Sequence, residues 1–385
     1  MSKTLIFVSS HRRHKKVADR MRGALDAGCK IELFSFDRGE IDDPVYSHPD
    51  VSHTSLGTMR DGIAFSRLYT IARAALILLR ARPHTREPDT MLMANNLELL
   101  VISWLCGLTR SPTVYDVADI HKLQLSNSLV GKISRWIERK ALKHVSLVVV
   151  TSPWFYWRYF VERLRVRMPA VLIENRVSFT FAAPAEMQSS VTSIAWNGLL
   201  RCRTSASVLL ECLVANPDSF SLSLHGVIRA LNELGRHLVE CPNCFFTGLY
   251  DPVTIGTLLS RSRFVWAIDF AEEENSRWLL PNRLYEGIGA GIPLLAVEGT
   301  ATAAVVRHYN IGVVLSECTC REILAALALA NSKKYAVWLA NLQTLKSRSR
   351  RRNEWKSVFD GATRWSELKF ISSEVDVSVV LSDTS

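Results

Sequence analysis

Residues 281–293 read PNRLYEGIGAGIP, and most of the fold can be worked out from them. Pro281 and Asn282 suit the start of a helix, Gly291 the residue just past its end, and LLAV at 294–297 a buried parallel strand. The first turn of a helix carries unpaired N–H groups and partial positive charge, which together can hold a diphosphate. Glu286 falls one turn later, on the face shared by Asn282 and Arg283. A carboxylate there can accept two hydrogen bonds from the vicinal hydroxyls of a ribose. Phosphate at the helix mouth and ribose one turn in describe a site for a nucleotide-sugar.

Pro281, Arg283, Glu286, Gly291 and Pro293 resemble the donor motif of the large retaining, family 4-like group of GT-B glycosyltransferases, common in bacterial exopolysaccharide and capsule synthesis. That resemblance implies two Rossmann-like domains facing across a cleft, with a terminal helix crossing back to the first domain. It also implies a metal-independent hexosyl transfer without a cofactor, from a UDP- or GDP-linked donor to a saccharide or polyprenyl-diphosphate-linked acceptor. One position departs from the pattern. The family often has a second glutamate eight residues before the ribose-binding one, and here that position is Trp278. The departure leaves retaining and inverting outcomes both open.

The pattern on either side fits two domains. Apolar β-branched runs at 4–9, 31–36, 90–94, 113–116, 147–150 and 170–173 alternate with helical spacing at 15–27, 62–81, 96–108, 129–143 and 154–165. Such alternation predicts a doubly wound α/β sheet. It pauses at a polar link, 174–190, and resumes with strands near 193–196, 221–224, 264–268, 294–297 and 312–315. The expected division is an acceptor domain over 1–178, a donor domain over 186–350, a crossing helix over 351–370 and a loose tail over 371–385. Trp355, Phe359 and Trp365 are the aromatic anchors of that last helix.

Composition narrows the function classes. With 385 residues, 48% of them hydrophobic, the chain has enough apolar material for two cores. No apolar run reaches membrane-spanning length, and the segment in MSKTLIFVSSHRRHKK is short for a secretory signal. A cytoplasmic protein is expected, peripheral on the inner face of the membrane if its acceptor is lipid-linked. The formal charge of +10 favours acidic partners: nucleotide diphosphates, phospholipid carriers, an anionic membrane surface or nucleic acid. The stretches GKISRWIERKALKH and RLYTIARAALILLRAR mix basic and apolar residues at helical spacing, as either membrane-resting or core-packing helices do. Basic residues are spread over many helices without a nucleic-acid reading motif, so nucleic acid is not an expected partner. The eight cysteines, including CPNC at 241–244 and CTC at 318–320, lack the paired spacing of a structural zinc site; no metal is expected.

Sugar transfer requires an anchored nucleotide, a neutralised leaving diphosphate and a route for the acceptor's proton. Anchoring falls to Glu286. The diphosphate falls to Gly198 with Arg201 or Arg203 in WNGLLRCRTS, and Arg283 is a further candidate. The resemblance adds His225 and Gly226 near the nucleotide. Tyr250 reads as a wall of the base pocket or as core, and Asn275 and Arg277 as contacts from the loop before the donor helix. In the first domain, VYDVADIH sets Asp116, Asp119 and His121 at and past a strand end. Asp119 or His121 is the candidate to take the acceptor proton or place the sugar, with a helix N-cap the rival role for Asp119. Asn95 and Asn96 end the neighbouring strand. Two other classes compete: a degenerate scaffold of a polysaccharide assembly complex, suggested by Trp278, and a basic nucleic-acid-binding protein.

Overall fold

The computed structural model describes residues 3–12, 14–38, 43–58, 64–81, 87, 89–177, 181, 192–270, 273–350, 354–360 and 377–382. The chain forms two compact units, Met1–Ile173 with Arg352–Glu374, and Glu174–Arg351 with Val375–Ser385.

The first unit is built on a seven-stranded parallel sheet. Its strands are β1 (Thr4–Ser9), β2 (Lys30–Phe36), β3 (Val51–Gly57), β4 (Thr90–Asn95), β5 (Thr113–Val117), β6 (Leu147–Val150) and β7 (Ala170–Leu172). They lie in the order β3-β2-β1-β4-β5-β6-β7. Runs such as LVVV are apolar throughout because helices cover both faces of the sheet. The order reverses between β1 and β4, so the carboxyl ends of those strands flank the place where such sheets bind ligands.

The second unit holds six parallel strands: β8 (Thr192–Leu199), β9 (Phe220–Val227), β10 (Cys244–Phe246), β11 (Phe264–Trp266), β12 (Leu294–Val297) and β13 (Gly312–Leu315). Their order is β10-β9-β8-β11-β12-β13, with its reversal between β8 and β11. Trp196, Phe220, Phe264 and Trp266 fill the core on one face. The opposite face receives the helix Asn282–Ala290, which ends as its sequence suggests, with Gly291 left-handed at φ 74°.

One of two expectations about the chain's end needs revision. The expected crossing helix is described only over Glu354–Asp360; it packs on the helix Lys15–Asp26, burying Trp355, Val358 and Phe359 in the first unit's core. Trp365 lies outside the described residues. The tail is not loose over 377–382. Val380 and Leu381 are fully buried in the second unit, and the Leu381 N–H donates to Glu174 Oε1 and Oε2 at 3.2 Å. Glu174 also accepts from Tyr285 Oη at 2.9 Å and Arg176 Nε at 3.0 Å. An acidic, serine-rich composition hid the apolar VSVVL that makes this contact.

The segment expected as an α-helix over 154–165 is a wide π-helical stretch, Phe155–Arg163. It carries Tyr159 against Glu138, whose fully buried carboxylate also accepts from Gln124 Nε2 at 3.0 and 3.1 Å and from Tyr115 Oη at 3.3 Å. Burial raises the Glu138 carboxyl to about 7 despite the bonds from Tyr159, Gln124 and Tyr115. A raised carboxyl favours the folded state most when protonated. Its contribution is present below the ordinary pKa near 4.5 and is lost as pH rises through about 7. Thermal melts of the wild type should therefore fall between pH 5 and 8 by more than those of Glu138→Gln. Parallel curves would refute this.

Candidate functional site

At the carboxyl ends of β8 and β9 the second unit gathers four side chains. Asn197 and His225 are register partners, so both stand on the sheet face that receives the helix Asn282–Ala290. Asn197 is almost fully buried, and its Nδ2 donates to Glu286 Oε2. That bond fixes the amide's orientation, since the flipped form would set two oxygens together. Tyr250 lies beside both, its hydroxyl held protonated, pushed up to about 12 by burial and by the charge of Glu286. His225 meets Tyr250 edge-on, ring centroids 6.5 Å apart, and its Nδ1 pairs with Thr247 Oγ1 at 3.0 Å. Burial, then the charge of Arg261, holds His225 down to about 4, so it is neutral and brings no cation to a diphosphate. Asn197 Oδ1 and His225 Nε2 are buried without a hydrogen-bond partner among the described residues. Buried polar atoms of that kind are expected to find a partner, and here a ligand can supply it.

The phosphate side is shaped by two glycines. Gly198 takes φ 96° and Gly226 φ 128°, and a Cβ on Gly226 would stand 2.0 Å from the Gly198 carbonyl oxygen. Only a strand pair without side chains at this point lets the two loops run so close. The following turn is closed by Cys202, whose sulfur accepts from Ser205 N at 3.4 Å and Phe270 N at 3.3 Å. Arg203 is exposed at the first position of the helix Arg203–Ala215. Arg201 is half-buried, and its charge reaches Arg283.

Arg283 itself is engaged elsewhere. Its guanidinium is buried, donating to Asp269 Oδ2 at 3.2 Å and to the Ile268 carbonyl at 3.3 Å. This ion pair fastens the helix to the segment after β11 and engages the guanidinium expected to reach phosphate. Asn282 is exposed at the helix start, where Pro281 offers no side-chain cap to the first N–H groups. Asn275 is buried within the helix Glu273–Trp278, and Trp278 and Arg277 close that helix, half-buried and exposed respectively.

In the first unit the strand-end residues range from buried to exposed. Asp116 is fully buried and clamped by Arg20, Nε to Oδ2 at 2.7 Å and Nη2 to Oδ1 at 3.0 Å. Asn95 Nδ2 donates to the same carboxylate at 3.2 Å, and Asn95 Oδ1 accepts from Ser10 Oγ at 3.1 Å. Asn96 caps the helix Leu97–Leu105, accepting from Leu99 N at 3.2 Å. These residues hold the strand ends together. Asp119 is exposed two residues past β5. The N-cap role suggested for Asp119 belongs to His121, whose Nδ1 accepts from Leu123 N at 3.3 Å while its own N–H donates to Gln124 Oε1 at 3.0 Å. With Nδ1 occupied, the exposed His121 ring presents Nε2–H outward, as a donor.

Sequence reasoning missed Asn197. Its neighbour Gly198 drew attention, but an asparagine near a strand end gives no sign of which face it takes. No group of three or more His, Cys, Asp or Glu side chains among the described residues is placed to hold a metal ion.

No family model matches the chain. The chain is 33% identical over 327 residues to the succinoglycan biosynthesis protein ExoL of Rhizobium meliloti, covering 80% of each. Among solved structures it is similar to HepE of Anabaena in complex with UDP-glucose, at 14% identity and TM-score 0.64, covering 94% of this chain and 99% of that one. WaaG, a glycosyltransferase involved in lipopolysaccharide biosynthesis, is similar at 12% identity and TM-score 0.61, covering 98% and 99%. Sucrose-phosphate synthase of Thermosynechococcus elongatus follows at 14% and 0.65, covering 89% and 94%.

Proposed function

The chain belongs to the ExoL family of GT-B-fold glycosyltransferases of polysaccharide synthesis, and on that premise we propose a UDP-hexose donor and a saccharide acceptor on a polyprenyl-diphosphate lipid. The observation that carries the donor half is the cluster of Asn197, Tyr250 and Glu286 one turn inside an uncapped helix start. In this reading Glu286 accepts from the ribose hydroxyls, and Asn197 holds its second oxygen in place. Arg201, Arg203 and the N–H groups at Asn282 neutralise the leaving diphosphate, so no divalent cation is required. Similarity to HepE, whose structure holds UDP-glucose, supports uridine over guanosine.

The first unit handles the acceptor. Asp119, exposed past β5, takes its proton, and His121 steadies the transferred sugar through Nε2–H. A lipid-linked acceptor confines this work to a membrane surface.

Titrating the full chain with UDP- and GDP-linked hexoses in EDTA tests the proposal. The expected result is selective binding of the uridine series, and UDP release once a lipid-linked saccharide is added. Failure of every nucleotide to bind would defeat it. Because Trp278 stands where the family often has glutamate, tight UDP binding without transfer to any acceptor would favour a scaffold instead.

A further inference from the structure

The helix Leu129–Ala141 is inverted relative to an ordinary surface helix. At 100° per residue, Leu129, Val130, Ile133 and Trp136 share one face, opposite Gly131 and Glu138. The inner face buries Gly131, Glu138 and Ala141. The outer four are 48% to 73% exposed, and Leu123 on the adjoining helix Lys122–Leu125 is 44% exposed. A core-packing helix does the reverse. By contrast the other basic-apolar stretch behaves ordinarily, its helix burying Ala74 and Leu78 beside Leu56 and Leu92.

Charge decides what covers such a face. Between 120 and 145 the sequence carries Lys122, Lys132, Arg135, Arg139, Lys140 and Lys143 against a single acid, Glu138, which points inward. Lys132, Arg139 and Lys140 are exposed around the apolar stripe, with the Lys140 ammonium 5.6 Å from the Trp136 ring centroid. Arg135 is spent on the Gln124 and Ser126 carbonyls at 2.7 and 2.6 Å. A second copy docked here would bring cation against cation, and the face offers no acids to a basic partner. Exposed leucine, isoleucine and tryptophan flanked by lysine suit the boundary between phospholipid headgroups and acyl chains. No helix among the described residues is long and apolar enough to cross a membrane.

We propose that Leu123, Leu129, Val130, Ile133 and Trp136, flanked by Lys132 and Lys140, form the surface by which this protein docks on an anionic lipid bilayer. The surface can be read without the catalytic assignment; its purpose, meeting a lipid-linked acceptor, rests on that reading.

The test is sedimentation of the full chain with phosphatidylcholine vesicles containing or lacking about 30% phosphatidylglycerol, a headgroup fraction chosen for its surface charge. The wild type should pellet with the anionic vesicles only. Leu129→Ser/Ile133→Ser/Trp136→Ser should lower partitioning at least about tenfold. Lys132→Glu/Lys140→Glu, which leaves every apolar side chain in place, should do the same, and its residual binding should no longer be weakened by added salt as the wild type's is. UDP affinity should be unchanged in both variants, which separates this surface from the donor site. A wild type that ignores both vesicles, either variant pelleting like it, or a concentration-dependent dimer lost in the triple variant would overturn the proposal. UDP failing to bind any form leaves the vesicle result standing and removes only the donor reading.

Discussion

Glu286→Ala is expected to weaken UDP binding roughly a hundredfold. Two hydrogen bonds from ribose hydroxyls to a carboxylate, each charge-assisted, are worth together about 3 kcal/mol after solvent exchange, and each 1.4 kcal/mol is a factor of ten. Glu286→Gln keeps the shape and one acceptor and should lose only about tenfold. Asn197 sharpens the test, because its Nδ2 is bonded to Glu286 Oε2 in a nearly solvent-free position. Asn197→Asp puts a second carboxylate against the first, and two such groups can coexist there only by sharing a proton. UDP affinity of that variant should decline as pH rises from about 5 to 8, while the wild type stays flat over the same range. Calorimetric titration at several pH values reads both effects. If Glu286→Ala binds UDP as the wild type does and merely melts earlier, Glu286 is a structural partner of Asn197 and the donor site lies elsewhere.

What the sequence disclosed follows from how local each feature is. The helix stop at Gly291 and the strand LLAV are set by neighbours within a few residues, and both stand where 281–297 places them. β3 and β10 were not foreseen. VSHTSLG runs through four polar residues along a sheet edge and shows no apolar alternation, and CFF spans only three residues. The long stretches were also legible as elements but not in their geometry: nothing in FYWRYFVER distinguishes a π-helical run from an α-helical one. Side-chain partners were the least visible. Arg283 has the right charge on the right turn, yet Asp269, fourteen residues earlier, claims it. Glu286 meets Asn197 across 89 positions and Arg20 meets Asp116 across 96, distances at which spacing carries no information. His121 is a case of competing local roles. Asp119 is the commoner capping residue type, but the helix starts two residues later than that choice requires.

Asp116 shows how such a hidden partner changes an assignment. By position it belongs with Asp119 and His121, at the strand ends where catalytic residues collect. Its surroundings give it a different task. Arg20 grips both carboxylate oxygens, donates Nη1 to the Lys16 carbonyl at 2.7 Å, and lays its guanidinium 4.7 Å from the Trp355 ring centroid. One ion pair thus ties β5, the helix Lys15–Asp26 and the returning helix Glu354–Asp360 together. Arg20→Ala should destabilise the first unit by about 3–5 kcal/mol, because it leaves a carboxylate buried with only Asn95 beside it. For a unit of this size that corresponds to a fall of roughly 10 °C in its melting transition. Arg20→Met with Asp116→Leu removes the charge together with its partner and should recover much of the loss. UDP binding, which we propose for the other unit, should survive in all of these variants. A catalytic Asp116 would behave in the opposite way: Asp116→Asn would abolish transfer and leave the melting curve where it was. Measuring melting and UDP affinity on the same samples therefore decides whether this aspartate holds the fold or works on the substrate.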